Sequence, residues 1–241
     1  MIRRLSVGTV LAAAAAMLAG CASGQAAGGA MRTTGAGSSG ASSTEWRSLI
    51  DPGLTAWRSF RGQAVPAGWR AENGVLYKDT VADDLISRDD FGDFELAFDW
   101  KLTPGGNSGV FYRATEEYDR VYWSGPEYQL LDDAGHADGR NPLTSAAAAY
   151  AIYAPPRGVV KPAGEWNSSR IVARGTHVEH WLNGRKVVDY NLGSDDWRAR
   201  VAASKFHEYP DYGLAPRGHV GIQGDHTGAL AIRDLRVRVL R

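Results

Sequence analysis

The sequence predicts an all-β protein, a jelly-roll β-sandwich, on three observations. Apolar and polar residues alternate with period two through most of the candidate elements, and Gly, Asn, Asp and Pro punctuate the chain at short intervals. Helical periodicity is nearly absent. About eleven short strands of this kind fit a double-sheet jelly roll better than a helix-containing layer architecture.

The first elements are not part of that sandwich. Arg3 and Arg4 precede an alanine-rich apolar run from Val7 to Leu18, too short for an easy membrane span. The run ends in Leu18-Ala19-Gly20-Cys21, which resembles a bacterial lipobox and implies cleavage before Cys21 and diacylation of its thiol. Residues 22–44 hold no aromatic and no carboxylate, so they cannot bury enough apolar surface to offset their ordering entropy. They read as a tether with a reach on the order of 25 Å. The expected organisation is a signal peptide over 1–20, a lipidated cysteine and tether over 21–44, and one folded domain over 45–241. That places the domain at a bacterial cell envelope, tied to the membrane by lipid alone. Ala22 after the cysteine favours outer-membrane delivery on the periplasmic side if the cell is Gram-negative.

Within 45–241, short strand candidates fall at 75–77 and 85–87. Residues 94–101 then alternate cleanly, with Phe94, Leu96, Phe98 and Trp100 on one face and Glu95, Asp99 and Lys101 on the other. Further candidates are 110–113, 127–131, 150–153 and 169–173. The Ala146–Ala149 run favours helix by propensity, whereas the alternation after it favours a strand, so its state stays open. Residues 176–183 and 184–190 form a hairpin around Asn183-Gly184, a favoured two-residue turn. Trp197, Val201 and Lys205, spaced by four, predict two helical turns over 197–206. A strand over 219–223 and a closing strand from Leu230 to Val239 complete the set, the latter with a slip of phase near Asp234.

Composition narrows the function. Lys+Arg and Asp+Glu stand at 27 each in 241 residues, and with Arg3, Arg4 and Arg32 set aside the domain carries 24 basic against 27 acidic groups. No basic excess is available to neutralise phosphates, so a nucleic-acid partner is not expected. The single cysteine excludes an internal disulfide framework and a thiolate-rich zinc site. All of the 8 Trp, 10 Tyr and 6 Phe lie within 45–241.

Three stretches concentrate polar residues in turn-and-strand contexts: 106–113, 125–133 and 164–173. Alternation puts Asn107, Phe111 and Arg113 on one face of the first. These stretches belong to seven segments, DFELAFDWK, GNSGVFYR, GPEYQLLDD, GEWNSSRIVARG, VEHWLNGRKV, WRARVAASKF and GHVGIQGDH, spread in this order over most of 69–239. In them the chain resembles the 3-keto-disaccharide hydrolase family. It departs from that pattern at Gly224, which interrupts a Gln-Asp-His run, and at Ala148, where a Gly often precedes the Leu-Tyr pair. The resemblance implies a concanavalin-like jelly roll acting on glycosides already oxidised to a ketone at sugar carbon 3.

That substrate defines what the site must contain. The ketone acidifies the hydrogen on carbon 2, a base forms the enolate, and the enolate expels the glycosidic oxygen from carbon 1. Water adding back gives net hydrolysis. Such a route needs a base, a cation or donors facing the enolate, and an acid for the leaving group. On this expectation Glu127 is the base or acid, Arg113 stabilises the enolate, and His136 or His180 transfers protons. Asn107, Gln129, Asp132, Trp166, Asn167, Asp225 and His226 bind the sugar. No cofactor and no metal is expected, since nothing in the spacing of Asp225-His226 demands one.

Each assignment has a structural competitor. Glu127 and Arg113 suit a buried ion pair between strands, Trp166 and Trp181 suit a core, and His180 lies in phase with Val178 and Leu182. Two other functions compete as well. Glu127-x-Gln129-x-x-Asp132 imitates the two-carboxylate strand of retaining jelly-roll glycosidases, if a bulge returns Asp132 to the face of Glu127. A non-catalytic carbohydrate-binding module is the other, because the fold hosts lectins too.

Overall fold

The computed structural model describes residues 45–241. The expected signal peptide, the lipidation site Cys21 and the 22–44 tether lie outside the described residues. In chain order the strands are β1 (Arg47–Ser48), β2 (Trp57–Ser59), β3 (Trp69–Glu72), β4 (Val75–Lys78), β5 (Leu85–Phe91) and β6 (Phe94–Leu102). They continue as β7 (Asn107–Ala114), β8 (Glu127–Leu131), β9 (Asn167–Arg174), β10 (His177–Leu182) and β11 (Arg185–Asn191). Helix α1 (Asp195–Ala202) precedes β12 (Gly218–Ile222) and β13 (Leu230–Val239).

These strands build two antiparallel sheets. The larger runs β11-β10-β9-β6-β13-β4-β3 with β1 added on β13, and the smaller runs β2-β5-β12-β7-β8. Their inner faces share one core. Phe94, Leu96, Phe98 and Trp100 of β6 are buried against Val110 and Tyr112 of β7, Tyr128 and Leu130 of β8 and Val220 and Ile222 of β12. Phe98 meets Tyr128 edge-on with ring centroids 5.8 Å apart, one of the contacts joining the layers. The architecture is the all-β sandwich expected from the period-two pattern.

Local chemistry explains the corners. Asn183 and Gly184 both take positive φ (48° and 79°), as the tight turn between β10 and β11 requires. The phase slip in β13 is a bulge: its register with β6 shifts between Arg233 and Arg236, where Asp234 sits at φ 52°. Helix α1 starts at Ser194, whose side chain accepts from the Trp197 N–H (3.1 Å), and Asp195 and Asp196 occupy its first turn. It stops at Ala202 rather than reaching Phe206. Ser204 Oγ donates to Val201 O and accepts from Phe206 N–H, replacing helical bonds with side-chain ones.

The segment around 146–153 corrects the expectation of a strand over 150–153. Ala147 and Ala151 stand at φ 68° and 62°, which interrupts both helix and strand. Instead the alanines lie along the outer edge of β8. Ala147 N–H donates to Gln129 O (2.8 Å), Gln129 N–H to Ala148 O (3.1 Å) and Tyr150 N–H to Glu127 O (3.0 Å). Side chains no larger than a methyl let this irregular segment approach the sheet edge and deliver Tyr150 beside Glu127.

Candidate active site

The outward face of the small sheet carries the site. Even-numbered residues of β7 and β12 (Val110, Tyr112, Val220, Ile222) enter the core, so Asn107, Gly109 and Phe111 face the other way, as does Gln223 just beyond β12. On β8, Tyr128 and Leu130 point inward, leaving Glu127 and Gln129 on that outer face. Asn107, Glu127, Gln129 and Gln223 together floor a cleft of about 200 Å³. Its walls are Tyr122 and Asp138, each on a short 3₁₀ turn, and Tyr150, Lys205, Asp225 and His226 from loops.

Glu127 is the centre of this arrangement. It is 4% exposed, and its carboxyl makes no hydrogen bond among the described residues. Gly109, opposite Gln129 in the β7–β8 register, makes room for it, because a Cβ there would overlap Glu127 Oε1. Burial pushes the Glu127 carboxyl up to about 8; the Lys205 charge opposes this, and Asp84, Asp225 and Asp138 reinforce it. Around it, Asn107 Oδ1, Gln129 Oε1 and Gln223 Oε1 are buried with no hydrogen-bond partner. The Gln129 amide is anchored by Nε2 donating to Thr144 O (3.3 Å), which turns its oxygen to the cleft. Buried polar groups are ordinarily paired, so three orphaned amides converging on one cavity mark a place for a polar ligand.

Lys205 supplies the positive charge. Its Nζ lies 4.3 Å from the Tyr150 ring centroid, 5.2 Å from Phe206 and 5.6 Å from Tyr122. No carboxylate stands within ion-pair distance of it among the described residues. Desolvation lowers its pKa, with Glu127, Asp138 and Asp225 pulling the other way. At the exposed rim, His226 Nε2 lies 3.8 Å from Asp225 Oδ1. A carboxyl able to change protonation near neutrality, an unpaired ammonium and a set of amides can together move a proton, stabilise an oxyanion and hold hydroxyl groups. The one grouping with ligand atoms close enough for a metal among the described residues is His177, Glu179 and Asp189. It lies on the β10–β11 hairpin, where Lys186 already bridges the two carboxylates.

Five of the expected residues, Glu127, Asn107, Gln129, Asp225 and His226, thus meet in the cleft, and six do not. Arg113 is diverted by a bulge: His219 pairs with Ala114 but Gly221 with Phe111, and Arg113 sits at φ 50°. The alternation from Asn107 therefore breaks before it, and its guanidinium bonds to Gly92 O (2.9 Å), Gly175 O (2.7 Å) and Asp93 (3.2 Å) instead of Glu127. His180 is a core residue between Tyr112 Oη (3.0 Å) and Ala147 O (3.0 Å), and burial holds its pKa down at about 4. His136 caps a short turn by accepting from Asp138 N–H (3.2 Å).

Asp132 follows a strand whose pairing with β7 is continuous, so no bulge brings it back to the face of Glu127. Its oxygens hold the Gly105 and Ala134 amides. Asn167 opens β9 of the other sheet, and Trp166 immediately precedes it. Trp166 stacks beneath Arg233 (4.2 Å) and Lys101 (4.9 Å), while Asn167 Oδ1 accepts from Lys161 N–H (2.8 Å) and Asn183 Nδ2 (2.9 Å). Tyr122, Asp138, Tyr150, Lys205 and Gln223 were not anticipated as site residues. For Gln223 the signal was present, since extending the 219–223 alternation puts it on the outward face. For the loop residues there was none, because a loop has no period.

Comparison with known proteins bears on the family and the fold. A 3-keto-disaccharide hydrolase of Bacteroides thetaiotaomicron is 33% identical over 221 residues, covering 78% of this chain and 75% of its own. A Parabacteroides distasonis protein of known structure, provisionally assigned as a glycosyl hydrolase, is 33% identical with a TM-score of 0.75 over 81% of this chain and 94% of its own. A Bacillus subtilis protein with a galectin-like fold, 14% identical, matches with a TM-score of 0.51 over 82% of this chain and 96% of its own, which bears on the fold alone. With a family model described as the 3-keto-alpha-glucoside-1,2-lyase-like domain matching residues 45–238, the chain belongs to that family.

Proposed function

We propose that this protein cleaves 3-keto glycosides by base-promoted 1,2-elimination, with hydration of the product giving net hydrolysis. The observation that carries the proposal is the buried, unbonded Glu127 carboxyl facing a cleft with the Lys205 ammonium and three orphaned amides. Glu127 removes the carbon-2 proton. Its raised pKa makes it a stronger base than an exposed glutamate while leaving an ionised fraction at neutral pH. Lys205 takes the role first given to Arg113, stabilising the enolate oxygen. Asn107, Gln129 and Gln223 bond the ring hydroxyls, and His226, beside Asp225 at the rim, donates to the departing oxygen.

The test compares matched native and 3-keto disaccharides. Turnover of the keto-sugar alone, and its loss by about 10²–10⁴-fold in Glu127→Gln, is the expected result. Solvent deuterium should enter carbon 2 of recovered keto-sugar if the enolate forms reversibly. Equal rates on both sugars would overturn elimination in favour of a retaining glycosidase, whose nucleophile would have to be Asp138 or Asp225 because Asp132 is turned away. Binding without turnover of either would make the domain a carbohydrate-binding module. We also infer attachment at the cell envelope through a lipidated Cys21, from the Leu18-Ala19-Gly20-Cys21 pattern. Cys21→Ser should leave the membrane fraction; full retention after a high-salt wash would refute the anchor.

A further inference from the structure

One wall of the cleft is a short strap, residues 223–228, bound by a polar clamp that the proposed chemistry does not use. At its start, Gln223 N–H donates to Gly109 O (2.9 Å) and Ser108 Oγ to Gln223 O (2.8 Å). Gly224 is then gripped on both sides: its N–H donates to Asp84 Oδ1 (2.7 Å) and its carbonyl accepts from Ala82 N–H (3.0 Å). A Cβ at Gly224 would stand 2.6 Å from both Ala82 O and Asp83 O, so the residue that interrupts the Gln-Asp-His run is the one that lets the two backbones touch. Further on, Lys78 Nζ donates to His226 O (2.6 Å) and Gly228 O (3.0 Å).

Lys78 is an unusual core residue. It is fully buried on β4, and no carboxylate lies within ion-pair distance of it among the described residues. A buried ammonium with only carbonyl partners is costly, and an apolar side chain would satisfy packing alone. What the ammonium supplies that an apolar residue would not is a bond to two strap carbonyls. Asp84 sits on the strap's other side, half-buried, facing Asp225, Arg120 and Asp83, and its charge also reaches Glu127. The two clamp groups have opposite sign and feel each other across the strap, and Asp225 acts on both.

We propose that Lys78 and Asp84 are positioning residues of the active site: they fix the 223–228 strap so that Gln223, Asp225 and His226 face Glu127, with Asp84 one of the negative groups set around that carboxyl. The proposal rests on Glu127 being the base. The charges facing Glu127 are Lys205 on one side and Asp84, Asp225 and Asp138 on the others, so removing one of the three negative groups lowers its pKa.

The test uses the substrate-free full chain. Glu127 is titrated by carbon-13 NMR of labelled glutamate, its signal assigned by its loss in Glu127→Gln, and amide exchange is followed at Gly224 and Ala229. Asp84→Asn keeps an oxygen for the Gly224 amide but not the charge. Exchange should stay near wild type while Glu127 titrates lower by roughly half a unit. The acid limb of kcat/KM on a 3-keto glucoside should move the same way, a readout that a merely structural role would not move. Lys78→Met should speed exchange at Ala229 and lower kcat/KM by about 10–100-fold through misplacement of the strap groups. An unmoved Glu127 titration in Asp84→Asn, or unchanged exchange and kinetics in Lys78→Met, overturns the proposal. Should Lys78→Met not fold, Asp84→Asn alone decides through the titration. If the protein turns over no keto-sugar, the function proposed above fails while the titration and exchange results still judge the clamp.

Discussion

At the scale of single residues, the same burial that would make Glu127 a strong base also makes it a liability to the fold. Its folded pKa, about 8, exceeds the usual value of 4.5, so between those limits the native state holds a proton that the unfolded chain has released. Stability therefore falls as pH rises from about 4.5 to about 8 and levels off above. Glu127→Gln removes that slope: the variant should match wild type at pH 4 and melt several degrees higher at pH 9 in thermal scans. Lys205 works against the rise, so Lys205→Met should push the acid limb of kcat/KM to higher pH and lower its plateau by about 10²-fold. Lys205→Arg, which keeps the charge, should restore much of both. An unmoved limb in Lys205→Met would mean that the ammonium does not act on the carboxyl.

At the scale of elements, β7 performs two unrelated tasks along its length. Its first half lies on the floor of the cleft, where Gly109 leaves space for Glu127, and its far end carries the bulge that turns Arg113 away. Substitutions at the two positions should separate activity from stability. Gly109→Ala meets the Glu127 side chain from Cγ to Oε1 rather than backbone among its nearest atoms, so the fold should survive with the carboxyl displaced and kcat/KM down on the order of 10²-fold. Arg113→Ala strips bonds from Gly92 O, Gly175 O and Asp93, and should cost about 3 kcal/mol of unfolding free energy in urea titrations. Its kcat at a temperature where it stays folded should be near wild type. A catalytic collapse in folded Arg113→Ala would return that residue to the active site.

At the scale of the molecule, the sandwich is expected to fold without the segment before it. The aromatic residues and the whole of the described core fall within 45–241, whereas residues 22–44 offer almost no apolar area to bury. A chain beginning at Glu45 should therefore melt within a few degrees of one beginning at Ala22, measured by circular dichroism. A large drop would mean that the segment docks on the domain. The two faces of the small sheet also divide the work. Its inner face is joined to the large sheet by contacts such as Tyr112 with His180, while its outer face is left to loops that wall the cleft.

The sequence by itself determined what depends on near neighbours. The alternation of Phe94 to Trp100, the Asn183-Gly184 turn and the slip at Asp234 are all set by side-chain period or backbone dihedral preference within a few residues, and each stands in the structure. The ordered segments also carried the family and, through their phase, the placement of Asn107 and Phe111 on one face. Only the tertiary structure decided which polar residues meet. Arg113 and Asp132 hinge on a bulge, present beside β12 and absent beside β8, and a bulge is a property of a strand pair rather than of one strand. His180 and Lys205 exchanged their expected standing for a similar reason. A period tells which residues share a face, but which face becomes core and which becomes cleft is fixed by the sheet and loops that pack against it, and those arrive from far along the chain.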